Sequence, residues 1–369
     1  MSSAVTPVNI LACGVLSPAG QGPDALAEAL RAGIEGHDDA SDFLADPLPA
    51  GRPVRAVPGF DARDHLGRKG LRALSRVSLL GMSCAELALR SWGTEPDPAE
   101  RADTGVVFGT CAGSVRATTE FTRETLELER PYLVSPSMFP GTIYNATASQ
   151  IAMRHGLTGA NATLSEGSSS ALAALRYGRG LLIRGRARRL LAGAADELSA
   201  QVVWGLERSG LLSPGTPVGE GGAMFLLERD SGHGPRPEAQ LLATVLGYTP
   251  PGTGALARGA ALSDTVAQAL AESGVGADQV SLVVPGSSGR GWAAVERRAL
   301  NAVLAGRPVE WLTASAVTGV TFGAGGALAL AALLGTWRKT PPPADRPIAL
   351  VTSVGADGTI GCAVVRHAG

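Results

Sequence analysis

Aromatic residues and cysteines are both scarce in this chain of 369 residues. Aromatic side chains make up 4% of it, whereas 49 residues are glycine and the helical patterns are rich in alanine, which implies close packing of backbones. The four cysteines show neither metal-ligand spacing nor pairing: Cys13, Cys84, Cys111 and Cys362. We therefore expect reduced thiols, as in a cytoplasmic protein, with no metal site and no cofactor.

The chain also lacks an excess of charge and long apolar runs. Its 32 basic and 33 acidic residues leave a net charge of −1, so no global field would recruit nucleic acid or a membrane surface. No segment offers about 18 uninterrupted apolar residues, and no basic region precedes the first apolar stretch. We expect neither a membrane span nor a signal peptide, and a cytoplasmic α/β protein.

Short β-rich runs alternate with helical patterns along the chain. The pattern predicts strands at Val8–Val15, Thr104–Phe108, Ala162–Ser165, Arg189–Ala195, Ala223–Glu228, Ala239–Tyr248, Val280–Val284, Glu310–Thr313, Ile348–Ser353 and Cys362–Arg366. It predicts helices at Asp24–Ala32, Leu71–Trp92, Thr147–Arg154, Ser168–Ile183, Ser263–Ser273, Trp292–Ala305 and Gly323–Thr336. A turn-rich link at Arg229–Pro237 separates two halves, residues 1–235 and 236–369. Such halves imply layered α/β packing with buried sheets.

One run of small residues lies between a predicted strand and a predicted helix. It reads Thr163-Leu-Ser-Glu-Gly-Ser-Ser-Ser-Ala-Leu172, a strand that turns sharply into a helix. This geometry projects one side chain from a helix N-terminus, where backbone N–H groups and the helix dipole favour a thiolate or an oxyanion. Residues Ser165–Ser170, here called the elbow, are therefore the first candidate for chemistry.

The elbow resembles that of the β-ketoacyl synthases, whose pattern is Thr-x-x-x-Ala-Cys-Ser-Ser-Ser-Leu, with Ser168 at the Cys position. Three further segments are similar to family motifs in the correct order: Ile10–Gly20, Gly219–Glu228 and Thr352–Thr359. The last of these, here called the tail, resembles the family's Asn-Ser-Phe-Gly-Phe-Gly-Gly-Thr. The resemblance covers nearly the whole chain. It implies the thiolase fold, two βαβ-rich halves stacked in a five-layer αβαβα arrangement.

The resemblance also places the residues that differ from an active member. Family enzymes decarboxylate a malonyl thioester with two His residues beside the Cys; the matching positions here hold Pro285 and Val320. Neither side chain can donate a hydrogen bond to an enolate or exchange a proton. Ser168, Pro285 and Val320 together predict that no catalytic residue is retained. The family-like Glu296 remains, whereas the loop that covers active members is largely absent between Ser213 and Gly219, and Val354 and Ala356 replace gating Phe residues.

A ketosynthase-like chain without its catalytic residues resembles the chain length factor of type II polyketide synthases. That resemblance implies a heterodimer with an active ketosynthase, an acyl carrier protein that bears the growing chain, and a role in shaping the polyketide or polyene tunnel of an antibiotic pathway. Chain length factors close the tunnel with side chains on the helix after a Gly-Thr-x-x-Gly turn. Here those positions are Val115, Thr118 and Thr122, whose spacing places them on one helical face.

Two alternatives remain open. Ser168 could be the nucleophile of an acyltransferase or esterase on the thiolase fold, which would need a base to activate it. The chain could instead form a homodimer that only binds an acyl chain or a carrier protein. The histidines, at positions 37, 65, 155, 233 and 367, match no catalytic position, and Cys111 is expected to be a buried apolar side chain. A basic run is either a solvated helix face or a surface for an acidic carrier protein: Arg176, Arg179, Arg184, Arg186, Arg188 and Arg189.

Overall fold

The computed structural model describes residues 6–44, 46–93, 96–232, 234–250, 252–287 and 291–369. The strands are β1 (Val8–Ser17), β2 (Gly20–Gln21), β3 (Val54–Arg55), β4 (Thr104–Gly109), β5 (Asn161–Leu164), β6 (Arg189–Asp196), β7 (Val218–Gly219), β8 (Gly221–Arg229), β9 (Ala239–Tyr248), β10 (Val280–Val284), β11 (Glu310–Trp311), β12 (Ile348–Val354) and β13 (Thr359–His367). The helices are α1 (Pro23–Ala32), α2 (Ala62–Leu66), α3 (Arg76–Trp92), α4 (Pro98–Asp103), α5 (Val115–Glu127), α6 (Ala146–His155), α7 (Ser170–Ile183), α8 (Ala200–Ser209), α9 (Ala255–Ser273), α10 (Trp292–Val303), α11 (Ser315–Thr318) and α12 (Gly325–Lys339).

The main strands repeat one arrangement twice. In the first half the order is β1-β8-β6-β4-β5, in which β8 runs antiparallel to both neighbours and β6, β4 and β5 are parallel. In the second half the order is β9-β13-β12-β10-β11 with the same directions. Strands β1 and β9 pair over Val8–Ile10 and so join the halves. Each half therefore supplies one sheet layer of the predicted layered α/β protein, and the two layers are continuous through this pairing.

Helices occupy three layers around these two sheets. Helices α3 and α6 pack on the outer face of the first sheet, and α9 and α10 on the outer face of the second. Helices α7 and α12 lie between the sheets and contact both. Because α12 is covered on all sides, its sequence is apolar all round, mostly alanine and leucine, rather than striped. The order helix, sheet, helix, sheet, helix is the five-layer arrangement that the family resemblance implied.

Several element bounds differ from the prediction. The helix predicted from Leu71 begins at Arg76, since the hydroxyl of Ser75 caps it by accepting from the N–H of Ser78. Helix α9 begins at Ala255 rather than Ser263, after Gly254 in extended conformation. Helix α12 begins at Gly325 because a 3₁₀ turn, Phe322–Ala324, precedes it. Short strand β11 ends at Trp311, and the sequence pattern gave no sign of α2, α4 or α8.

Candidate functional site

The elbow forms where strand and helix patterns meet, as predicted. Strand β5 ends at Leu164, and a 3₁₀ turn at Gly167–Ser169 leads directly into α7. Gly167 makes this sharp turn with a φ of +52°, a conformation that residues with a Cβ rarely adopt. Ser168 is only 5% exposed. The structure therefore holds the candidate nucleophile position at the start of a central helix.

Backbone groups of Ser168 are bonded to the tail, which comes from the other half of the chain. The N–H of Ser168 donates to Oδ2 of Asp357 at 3.0 Å. Its carbonyl oxygen accepts from the hydroxyl of Ser353 at 2.9 Å. The Ser169 hydroxyl donates to the same Ser353 oxygen at 3.1 Å. Sequence analysis identified the tail as a motif but gave no sign that a carboxylate from it contacts the elbow.

Pro285 and Val320, at the two family His positions, line one small cavity. Its volume is about 30 Å³, and Ser168 is not among its lining residues. Val320 is a core residue, because its side chain packs in a buried cluster with Leu198 and Val218. Its backbone bonds to Pro217 and Gly219 at 2.9 and 3.0 Å. Two of the three altered positions thus meet around a space that holds about one water molecule.

Glu296 anchors the loop that carries Pro285. It is fully buried and accepts from the backbone N–H of Gly286 at 3.2 Å and of Ser287 at 3.0 Å. The hydroxyl of Thr352 donates to it at 2.5 Å. Burial raises the pKa of Glu296, while these donors oppose the shift. The structure gives this family-like carboxylate a role in holding the loop.

The Gly219–Glu228 motif, which begins Gly-Glu-Gly, also holds backbone segments in place. Glu220 is fully buried and receives both Nε and Nη2 of Arg76, at 2.7 and 2.6 Å. It also accepts from the backbone N–H of Val57 and of Leu198, each at 3.1 Å. Gly219 is needed because a Cβ there would lie 1.8 Å from the carbonyl oxygen of Thr318. The motif therefore joins the first half to the loop that carries Val320.

Asp196, at the end of β6, was not singled out from the sequence. Its carboxylate accepts from the Thr110 hydroxyl at 2.6 Å, the Cys111 N–H at 2.9 Å and the Ala324 N–H at 3.1 Å. Burial raises its pKa to about 7, against the effect of these donors. An acidic residue after a buried apolar strand was the available signal. Asp196 connects the turn after β4 to the 3₁₀ turn before α12.

Cys111, expected to be buried, is half-buried, and neither it nor a described histidine is placed for such chemistry. Burial, and then the nearby Asp196 and Asp357, raise the pKa of Cys111 to about 12, so its thiol is not activated. Among the described residues no histidine lines the cavity between Pro285 and Val320. His65 stacks on Phe60, with ring centroids 6.1 Å apart, and His367 meets Trp337 edge to face, with centroids 5.4 Å apart. His155 lies 3.8 Å from Glu86, and His37 is exposed. His233 lies outside the described residues.

The three expected tunnel positions lie on α5. Val115 is half-buried, whereas Thr118 and Thr122 are exposed on the surface of this chain. The Thr118 hydroxyl donates to its own helix, to the carbonyl oxygen of Ser114 at 2.9 Å. Arg116 and Ala117, on another face of α5, line a separate surface cleft of about 580 Å³. None of these three positions lines that cleft or the cavity between Pro285 and Val320.

The basic run is divided between ion pairs and solvent. Arg189 pairs with Glu100 at 2.7 Å and with Glu228 at 3.4 Å. Arg188 lies 3.6 Å from Glu228, and Arg179 is half-buried and bonds to a backbone oxygen. The remaining arginines are exposed: Arg176, Arg184 and Arg186.

The chain from the end of α5 to the start of α6 exposes several large apolar side chains. They are Leu126, Leu128, Tyr132, Leu133, Phe139, Ile143 and Tyr144, here called the apolar patch. Strand β5 lies beside α6 at the end of the first sheet and pairs, within the described residues, only with β4. Large apolar surfaces and unpaired strand edges are typical of protein interfaces. Among the described residues, no helix combines the length and apolar character needed to cross a membrane, and no group of side chains could hold a metal ion.

Comparisons with known proteins agree with this architecture. The family model for the N-terminal domain of β-ketoacyl synthases matches residues 5–233. The chain is 28% identical over 363 residues to the tetracenomycin polyketide synthase ketoacyl synthase beta subunit of Streptomyces glaucescens, covering 90% of this chain and 86% of that protein. It is 27% identical over 372 residues to the actinorhodin polyketide putative beta-ketoacyl synthase 2 of Streptomyces coelicolor, covering 94% and 89%.

Solved structures extend the likeness to the whole fold. The ishigamide ketosynthase/chain length factor superposes with a TM-score of 0.87 at 31% identity, covering 98% of this chain and 100% of that one. A beta-ketoacyl synthase from Burkholderia phymatum superposes with a TM-score of 0.81 at 21% identity, which supports the fold alone. This chain belongs to the β-ketoacyl synthase family and has its thiolase fold.

Proposed function

We propose that this chain is the chain length factor of a type II polyketide synthase. In this role it is a non-catalytic, ketosynthase-like subunit that forms a heterodimer with an active ketosynthase and shapes the tunnel for the growing chain. The names of its relatives support this reading, since they include a ketoacyl synthase beta subunit and a ketosynthase/chain length factor. The observation that carries it is the small cavity between Pro285 and Val320, where neither side chain offers a hydrogen-bond donor.

The small size of this cavity argues against decarboxylation by this chain. Decarboxylation of a malonyl thioester requires room for the malonyl group and donors that stabilise the enolate. The cavity of about 30 Å³ has room for one water molecule, and its Pro285 and Val320 side chains carry no donor. An elbow with Ser168 and without these two groups lacks the partners that condensation needs.

The apolar patch and the free edge of β5 support a partner subunit. Burial of such a surface against a ketosynthase would favour association through the hydrophobic effect. Thr118 and Thr122 would then be covered by the partner and would line a tunnel formed between the two chains. An acyl carrier protein would deliver the growing chain to this complex. We also propose residues 1–235 and 236–369 as the two structural halves of the subunit.

The second candidate function is a Ser168-dependent acyltransferase or esterase. A serine nucleophile needs a base within hydrogen-bond reach. The second candidate would be favoured only by acyl transfer from the lone chain. A homodimer that binds an acyl chain without chemistry is a third possibility, and the same experiment distinguishes it.

Reconstitution tests the proposal. This chain, a candidate ketosynthase and their mixture are each incubated with malonyl-loaded carrier protein, and products are read by mass spectrometry. We expect co-purification, product only from the mixture, and retention of most of that product with Ser168→Ala. Replacing the nucleophilic cysteine of the ketosynthase is the control that should abolish it. Acyl transfer by this chain alone, lost in Ser168→Ala, would favour the second candidate, and a loss of several orders of magnitude in an intact Ser168→Ala complex would overturn catalytic silence.

A further inference from the structure

Gly167 and Asp357 occupy complementary space at the elbow. A Cβ added to Gly167 would lie 1.5 Å from Oδ2 and 2.6 Å from Cγ of Asp357. Non-bonded atoms cannot approach so closely, so the carboxylate stands where a methyl group at position 167 would be. The two residues are 190 positions apart and come from different halves of the chain.

Both residues differ from the family patterns that the chain otherwise resembles. The elbow pattern has Ala where this chain has Gly167, and the tail pattern has Gly where it has Asp357. A side chain has been lost on one side of the contact and gained on the other. The side chain of Asp357 thus fills the volume that a side chain at position 167 would take, as close packing requires.

The carboxylate of Asp357 also accepts a hydrogen bond from the backbone of the elbow. Its Oδ2 accepts from the N–H of Ser168 at 3.0 Å. Its Oδ1 accepts from the N–H and the hydroxyl of Thr359, at 3.0 and 2.7 Å. A backbone N–H at a nucleophile position is the kind of donor that binds an oxyanion during acyl transfer. Here that donor already has a negatively charged partner.

A buried arginine holds the tail in place behind this contact. Arg258 is 2% exposed and donates from Nη1 to the carbonyl oxygen of Gly355 at 3.0 Å. Its guanidinium carbon lies 3.9 Å from the centre of the Trp292 ring. The N–H of Gly358 donates to the same Gly355 oxygen at 3.1 Å and closes the turn. Asp357 is therefore presented to the elbow by a braced turn.

We propose that Asp357 is a built-in anion that closes the elbow, and that Gly167 and Asp357 are a matched pair. The carboxylate takes the place of an acyl oxyanion and binds the N–H that would donate to it. Gly167 has no side chain and so leaves room for the carboxylate. The contact lies within one chain and does not depend on a ketosynthase partner. It therefore goes beyond the proposed function.

A double-mutant cycle on the lone chain tests the pair. Gly167→Ala, Asp357→Gly and the double variant are compared by thermal unfolding. We expect Gly167→Ala alone to lower Tm at least twice as much as Gly185→Ala, a control at a φ of +66° with no atom within 4 Å. The double variant should regain the part of that loss that comes from the clash, because the conformational cost of a Cβ at position 167 is the same in both backgrounds and cancels in the cycle. Additive losses would overturn the pairing.

A second measurement tests the charge and needs no Gly167 variant. The thiolate absorbance of Ser168→Cys is followed against pH with Asp357 present and with Asp357→Asn. The Asp357 carboxylate accepts from the N–H of residue 168, and a like charge so near disfavours a thiolate there. Asp357→Asn should therefore lower the thiol pKa and give at least about twofold more thiolate at a pH below both values. The exposed Asp345→Asn is the matched control and should leave it unchanged. An unchanged pKa in Asp357→Asn would refute the built-in anion, whatever the reconstitution shows.

Discussion

At the scale of single residues, the buried carboxylates determine how the protein responds to pH. Asp196 is the clearest case, because burial raises its pKa to about 7. As pH rises from about 4, the unfolded chain releases this proton before the folded chain does. The raised pKa of Asp196 therefore adds to the free energy of unfolding. This contribution is fully present below the pKa that Asp196 has in the unfolded chain, and it is lost as pH rises through about 7.

Asp196→Asn removes this linkage. We expect the free energy of unfolding of the wild-type protein to fall relative to the variant by up to about 1.4 kcal/mol per pH unit between pH ~5 and ~7. Urea unfolding at several pH values measures the difference, and the exposed Asp264→Asn should run parallel to wild type. Parallel curves for wild type and Asp196→Asn would show that its carboxyl titrates in the ordinary range.

At the scale of elements, α5 presents a face that this chain does not itself cover. Thr118 is exposed there, and we predict that Thr118→Phe shortens the products of the reconstituted complex. A ring in the tunnel would displace several methylene groups of the growing chain, each of which gains about 0.8 kcal/mol on burial. Product length by mass spectrometry is the measurement. Arg123→Phe, also exposed on α5, is the control; unchanged lengths in a normal complex would mean that Thr118 only packs.

At the scale of the whole molecule, the apolar patch predicts association with a partner subunit. Leu133→Glu would place a charge in the interface with the ketosynthase, and we expect at least about a tenfold rise in Kd without a loss of lone-chain stability. Sedimentation with the partner measures Kd. Leu256→Glu, at a leucine that is 83% exposed far along the sequence on α9, should bind normally. Equal binding by both variants would place the interface elsewhere.

Local features of this fold could be predicted from the sequence, whereas contacts between residues far apart in the chain could not. The strand, small-residue turn and apolar helix around Ser168 follow from neighbouring residues, and the five layers follow from the family resemblance. The bond from Ser168 to Asp357 joins residues 189 positions apart, and no local pattern contains it. The bonds to Asp196 arise in the same way, because burial and partner donors exist only once β6 has been placed beside two turns.

Some predicted bounds of helices were wrong for a related reason. Helix α8 begins at a cap in which the side chain of Ser199 accepts from the N–H of Val202. The amphipathic segment that follows is too short to predict a helix from its sequence pattern. The helix expected from Leu71 began late because a capping hydroxyl outweighed the apolar spacing before it. The meeting of Pro285 and Val320 around one cavity depended on the resemblance rather than on their own chemistry.

The repeated sheet order has a consequence for how such a chain evolves. In each half, a short 3₁₀ turn leads into a central helix, Gly167–Ser169 before α7 and Phe322–Ala324 before α12, and these two turns pack together. A substitution in one turn can therefore change the surroundings of the other. The elbow also meets the tail of the second half, so Gly167→Ala alone would clash with Asp357, and Asp357→Gly alone would leave a space that Gly167 does not fill. Restoring the family pattern at this contact therefore requires a change in both halves of the chain.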